Sequence, residues 1–380
     1  MIRRAVAAFL LAAASPWLAS AQESRAALEK RGLVLPFGDE PVSQPSIARY
    51  AIWSTKALEA GPRPAQPTAL HVVGQRGAQI VYASSPEGSR RFGSAQVLFS
   101  VEGAAQHRRG PRAAATGNDV VVTAPDGRDG GRIVAMASHD GGCTWDSAIV
   151  INREIPLAAP GYHDSIVTTS GAFVVAWLSS TKGKLGIHLS RSTDAGRTWS
   201  APSRIDEDAP GEPCPSPISI TAGPIDRVVV LHRRAVKRTR DLQLSYSLDA
   251  GKTFGAPERA DATEGETDEC PAEEGVVSHA DDFLMNPCKP VVGRGCSPAL
   301  QCIEWQTWFA RIESNDRLAI RWHAKGGPLR DVALPPALAN ARVSNVMAAL
   351  GRTSLEVWFA FEMRDERGPR VGLWQGWEGQ

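Results

Sequence analysis

Short apolar runs rich in β-branched residues recur along the chain, each cut off by glycine, proline or a polar turn. Asp119-Val-Val-Val-Thr123, Ala172-Phe-Val-Val-Ala-Trp177 and Arg227-Val-Val-Val-Leu231 are of this kind. So are Arg132-Ile-Val-Ala-Met136 and Ala148-Ile-Val-Ile151, with shorter runs at Ser165-Ile-Val-Thr-Thr169 and Ile218-Ser-Ile220. Their length, composition and boundaries predict β-strands joined by tight turns. The 35 glycines and 27 prolines supply the turns that such a fold needs. Grouped by position, the runs predict four short strands per repeating unit, hairpin-linked.

The opening run differs. Arg3 and Arg4 precede an almost wholly apolar stretch from Ala5 to Leu18, followed by the small residues Ala19-Ser20-Ala21. This pattern predicts a secretory signal over residues 1–21, cleavage after Ala21, and a mature chain starting at Gln22 outside the cytoplasm, periplasmic or secreted. No later run is long enough for a transmembrane helix, so no transmembrane segment is expected.

The turns carry a repeat. Ser138-His-Asp140-Gly-Gly142-Cys-Thr144-Trp145 returns as Ser192-Thr-Asp194-Ala-Gly196-Arg-Thr198-Trp199, and again as Ser247-Leu-Asp249-Ala-Gly251-Lys-Thr253-Phe254. The three aspartates stand 54 and 55 positions apart, and a degraded copy at Ser85-Pro-Glu87-Gly-Ser89-Arg-Arg91-Phe92 keeps the register. Spacing of this order marks a repeat architecture. In each copy a short carboxylate two residues before glycine can accept hydrogen bonds from the turn amides. The glycine takes the φ > 0 position, and the aromatic drops into the core.

This motif resembles the Asp box, or bacterial neuraminidase repeat, of the sialidase superfamily. The resemblance implies an all-β, six-bladed β-propeller of four-stranded antiparallel blades. It also places Asp140, Asp194 and Asp249 in outer turns as structural residues, away from the functional pocket. Counting runs gives six blades over residues 46–380, after a lead segment at 22–45. Ser46-Ile-Ala-Arg-Tyr-Ala-Ile-Trp53 is expected to complete the sixth blade and close the ring. A solenoid is the structural alternative.

Composition narrows the function. The formal net charge is +1, with no basic stripe of the kind a nucleic-acid binder needs, so that class is set aside. Six cysteines in an exported chain predict disulfides in an unresolved pairing. Cys270, Cys288, Cys296 and Cys302 fall in an expected Cys-rich insertion at about 262–304. The spacings lack a CxxC pair, and neither a metal site nor a cofactor is expected. The basic run Arg233–Arg240 and the acidic tract Asp261–Glu274 read as solvated loops.

Candidate chemistry lies where the innermost strands begin, at one end of the channel. His163, Asp164, His279 and Asp281 are candidate acid–base groups there, His beside Asp on two neighbouring blades. Arg112, Tyr162, Asp282 and Arg342 are candidate ligand contacts. The resemblance implies, for a sialidase, an arginine triad, a Tyr–Glu pair and an acid–base Asp. The family's early Phe/Tyr-Arg-Ile-Pro motif is absent, and no tyrosine lies beyond Tyr246. The expectation is therefore a monomeric propeller that binds a glycan or an envelope protein at the channel mouth. Sialidase-like or other hydrolase or lyase activity is the alternative.

Overall fold

The computed structural model describes residues 33–49, 69–85, 91–103, 110–153, 155–157, 162–181, 184–207, 212–213, 218–222, 226–236, 239–259, 306–312, 318–324, 330–331, 334, 336–339, 341–350, 356–366 and 368–377. The described chain is strand on strand. Its one α-helix is the short α1, Pro336–Ala339.

Six separate antiparallel sheets follow one another along the sequence. The first holds β1 (Ser43–Arg49), β2 (Leu70–Arg76), β3 (Gln79–Ser85) and β4 (Gln96–Ser100) in that order. The second holds β5 (Arg112–Thr116), β6 (Asp119–Asp126), β7 (Arg132–Ser138) and β8 (Ile149–Val150). The third repeats this with β9 (His163–Val167), β10 (Phe173–Thr181), β11 (Lys184–Ser192) and β12 (Ser203–Arg204). The fourth has five strands: β13 (Glu212–Pro213) and β14 (Ser219–Ala222) both pair with β15 (Val228–Val236), followed by β16 (Thr239–Ser247) and β17 (Glu258–Arg259). The fifth and sixth have three strands each: β18 (Gln306–Ile312), β19 (Leu318–Ala324) and β20 (Arg330–Asp331), then β21 (Arg342–Leu350), β22 (Glu356–Asp365) and β23 (Gly368–Trp377).

Two expectations about this architecture are corrected. A closed ring of six four-stranded blades is not what the strands make: the sheets differ in strand number, and none among the described residues closes on itself. The N-terminal strand does not complete the last sheet either. Ile47 pairs with Val72 and Arg49 with Leu70, so β1 is the first strand of its own sheet. Its hydrophobic neighbours explain the choice: Ile47 packs with Leu70, Val72 and Val81 in one cluster. The sixth sheet is met instead by a single antiparallel bridge, Val34 to Leu373, with hydrogen bonds of 3.0 and 2.8 Å in the two directions.

The core lies in the seams between sheets. Ala48, Val73, Ile80 and Tyr82 of the first sheet pack on Ala113, Val120 and Val122 of the second. Val174, Ile187 and Leu189 of the third pack on Ile220, Val228 and Val230 of the fourth. The central strands are therefore buried on both faces. This explains why β6 and β10 read as continuous apolar runs rather than alternating ones.

Disulfide pairing is also corrected. Cys143 carries a free, exposed thiol, and there is no disulfide among the described residues. It occupies the outward position after the box glycine, where the later copies place Arg197 and Lys252, so its side chain faces water rather than a partner strand. Cys214, Cys270, Cys288, Cys296 and Cys302 lie outside the described residues, as do the Cys-rich insertion and the acidic tract from residue 260 onward.

Candidate functional site

Strand direction sorts the chemistry onto two ends. In the second sheet β5 begins at Arg112, β6 returns, and β7 runs out again to Ser138, where the box follows. The box turns therefore lie at the opposite end of each sheet from the starts of the innermost strands. β1, β5, β9 and β14 contact one another in sequence, and β1 also contacts β21, so the starts of these strands lie side by side at one end of the sheets.

The box end is built for rigidity. Asp140 Oδ1 accepts from the backbone N–H of Cys143 and Thr144 at 2.9 and 2.8 Å, while Oδ2 accepts from Thr144 Oγ1 at 2.6 Å. Ser138 Oγ donates to the same carboxylate at 2.8 Å and accepts from Gly142 N–H at 2.8 Å. Asp194 and Asp249 repeat the arrangement with Thr198 and Thr253. These bonds hold the Asp140 carboxyl down at about 2, the Thr144 hydroxyl contributing most. For Asp249, burial pushes upward, but the bonds from Thr253, Ser247 and Lys252 outweigh it and bring the value to about 2. Trp145, Trp199 and Phe254 each pack into the seam with the preceding sheet.

Among these strand starts, two of the expected residues meet. Arg112 Nε donates to Asp164 Oδ1 at 3.1 Å, and both side chains are buried, 3% and 7% exposed. Arg112 Nη1 also donates to the carbonyl of Pro111 at 3.0 Å. Asp164 accepts from its neighbour Ser165 N–H at 3.0 Å and, through Oδ2, from Ile220 N–H of the fourth sheet at 3.1 Å. One carboxylate thus ties the second, third and fourth sheets together. His163 is fully buried beside it, its residue paired in register with Trp177. Tyr162 is half-buried against the core of the third and fourth sheets. Arg342 is exposed at the first position of β21. His279, Asp281 and Asp282 lie outside the described residues.

The structure adds groups that sequence reasoning passed over. Glu362 on β22 is completely buried; its Oε2 accepts from Gln44 N–H at 2.9 Å and its Oε1 from Arg364 Nε at 2.7 Å. Ser46 Oγ accepts from Ala113 N–H at 3.2 Å, joining the first sheet to the second. Above the third and fourth sheets, buried Arg234 donates to buried Asp206 at 2.6 Å. Burial raises the Asp206 carboxyl, and hydrogen bonds from Arg204 and Arg234 reverse this, leaving it below the usual range. The signal for Glu362 was available: it is the one charge in the apolar run Val357–Met363. Burial holds His232 and His71 at about 4, so both are neutral near pH 7. No group of three or more His, Cys, Asp or Glu is arranged to hold a metal ion among the described residues. No helix among them is long and apolar enough to cross a membrane.

Comparison with known proteins agrees with this architecture. Residues 83–268 match the BNR repeat-like domain family. No curated protein matches the sequence. Among solved structures, the Trypanosoma rangeli sialidase in complex with sialic acid is similar at 11% identity and a TM-score of 0.50, covering 92% of this chain and 57% of that one. The Hadza microbial sialidase Hz136 is similar at 13% identity and 0.52, covering 89% and 66%. The chain thus spans between about half and two thirds of these sialidases. The Aleuria aurantia fungal lectin, a six-bladed β-propeller with a fucose recognition mode, is similar at 12% identity and 0.50, covering 90% and 96%. The protein has a β-propeller fold with BNR-type repeats, similar in fold to these sialidases and to this lectin.

Proposed function

We propose that the protein is an exported binding module that recognises a glycan at the mouth formed by the starts of its innermost strands. The observation that carries this reading is the buried Arg112–Asp164 pair. A sialidase needs arginines directed at the substrate carboxylate and an accessible acid–base carboxylate. Arg112 and Asp164 are spent on each other and on the Pro111 and Ile220 backbones, so they shape the mouth rather than react in it. The lectin comparison supports the same reading, because that protein is matched over nearly its whole length and is a six-bladed β-propeller with a fucose recognition mode.

Export rests on the Arg3-Arg4 and Ala5–Leu18 pattern with its small-residue cleavage site. The experiment that tests the function is a glycan array probed with the purified mature chain, run beside hydrolysis of a fluorogenic sialoside. Saturable binding to a defined saccharide without turnover is the expected result. Sialoside hydrolysis by the purified wild-type chain would establish the enzyme instead.

A further inference from the structure

Gln44 stands in the left-handed region at φ +51° although it is not glycine. It lies at the start of β1, where the pairing with β2 slips between Ser43 and Ser46. Asp129, Ala195, Asp226 and Ala250 share this region among the described residues, but Gln44 is the one of the five at the start of an innermost strand, where its surroundings must hold the strain. Two neighbours do the holding. Glu362, reaching from the sixth sheet with no exposed surface, accepts the Gln44 N–H, and its other oxygen is fixed by Arg364. Gly110, just before β5, leaves the room: a Cβ there would come within 2.6 Å of both Gln44 Cβ and Oε1. The side chain of Gln44 therefore fills the space under the Gly110–Pro111 backbone, whose Pro111 carbonyl is held by Arg112.

We infer that Gln44 is a positioning residue of the binding mouth. Glu362 locks its strained backbone, and its side chain sets the height of the 110–112 segment against the Arg112–Asp164 pair. This rests on the glycan-binding reading above. The chain of contacts runs from the rim at Arg364 through Glu362, Gln44 and Gly110 to Arg112, Asp164 and Ile220. It spans the sixth, first, second, third and fourth sheets without using a box residue. A fold that needed only a turn at this point would be served as well by glycine, which carries no strain at φ +51°. A glutamine at positive φ sets this position apart from the described starts of the neighbouring innermost strands.

The test uses the full mature chain and two variants. Binding is read with fluorescent conjugates of α-L-fucose and of α2,3-sialyllactose, and thermal unfolding is read in parallel. Gln44→Gly relieves the backbone and removes the side chain. It is expected to unfold at or above the wild-type temperature while binding whichever conjugate the wild type binds about tenfold more weakly, as a mouth that has lost preorganisation should. Glu362→Gln keeps an acceptor of the same shape for the Gln44 N–H but releases Arg364. It is expected to weaken binding about threefold, and Arg364→Gln should reproduce that loss. Wild-type affinity in both Gln44→Gly and Glu362→Gln overturns the positioning role while leaving the glycan reading in place. A wild-type chain that binds neither conjugate, nor any saccharide on the array, overturns both.

Discussion

Gly142 of the first complete box lies directly against the ring of Tyr82 in the preceding sheet; a Cβ at Gly142 would sit 2.0 Å from the phenolic oxygen. The same glycine in the next box, Gly196, meets Val121 at 2.7 Å, while Gly251 in the third meets Val174 at 3.5 Å. All three have positive φ, at 90°, 91° and 79°. The box is thus a seam between sheets as well as a turn within one. Its Ser–Asp–Thr bonds hold a backbone shape that lets glycine touch the neighbour.

That gradient predicts graded damage. Gly142→Ala and Gly196→Ala combine backbone strain with overpacking and should each cost about 2–4 kcal/mol, whereas Gly251→Ala should cost about 1 kcal/mol. Urea unfolding of the three variants checks the order. Equal losses would mean that the strain of the turn alone matters.

Acid should act on the boxes in a defined window. The Asp249 carboxyl lies at about 2 in the folded chain, against about 3.9 when unfolded. A depressed value means that its contribution is present above the unfolded value and is lost as pH falls toward 2. Asp249→Asn should therefore flatten the fall in unfolding temperature between about pH 4 and pH 2 relative to the wild type. A wild-type slope in the variant would count against these bonds as the acid-sensitive element.

His139 should respond with the opposite sign. Its Nδ1 meets Asp119 Oδ1 at 2.8 Å and its Nε2 meets Asp146 Oδ2 at 2.9 Å, so only the imidazolium donates to both. The Asp119 bond raises its pKa most, burial opposes, Asp146 adds to the rise, and Arg197 works against it. The stabilisation is present below the ordinary histidine value and is lost as pH rises through the higher folded one. An NMR titration should place His139 above 6.5, and His139→Leu should remove the corresponding alkaline loss of stability. A value at or below 6.5 contradicts the two-carboxylate geometry.

The Arg112–Asp164 pair predicts asymmetric mutations. Arg112→Ala leaves a buried carboxylate without its cation and should cost about 3–5 kcal/mol. Arg112→Met combined with Asp164→Asn removes both charges and should cost much less than the two single changes together. A double-mutant cycle by denaturant unfolding measures this, and simple additivity would show that the pair is not coupled.

The repeat was legible because its determinants are local. Ser138, Asp140, Gly142 and Thr144 satisfy one another within a single turn, and the same spacing returned at Asp194 and Asp249. Even the bond that Ile187 N–H donates to Asp206 Oδ1 repeats, one period on, the one that Ile133 N–H donates to Asn152 Oδ1. The mouth was legible only as a set of strand starts. Arg112 and Asp164 each stood out as charged residues at such starts, but their pairing spans 52 positions and carries no local signature. Gln44 and Glu362 are 318 positions apart and meet only because the first and last sheets are neighbours. The route of the N-terminus was misjudged for a related reason. The runs at Ser46 and Leu70 pair with each other through shared burial around Ile47 and Val72, and strand propensity says nothing about which apolar run a strand will meet.

The central claim is that recognition occurs at the mouth and not at the boxes. Hydrogen–deuterium exchange of the mature chain, with and without a saturating saccharide drawn from the array, tests it most directly. Protection concentrated at residues 43–46, 110–113, 162–165 and 342–345, with the box turns at 138–145, 192–199 and 247–254 unchanged, is the predicted result. Protection at the box turns with the strand starts unaffected would contradict the account.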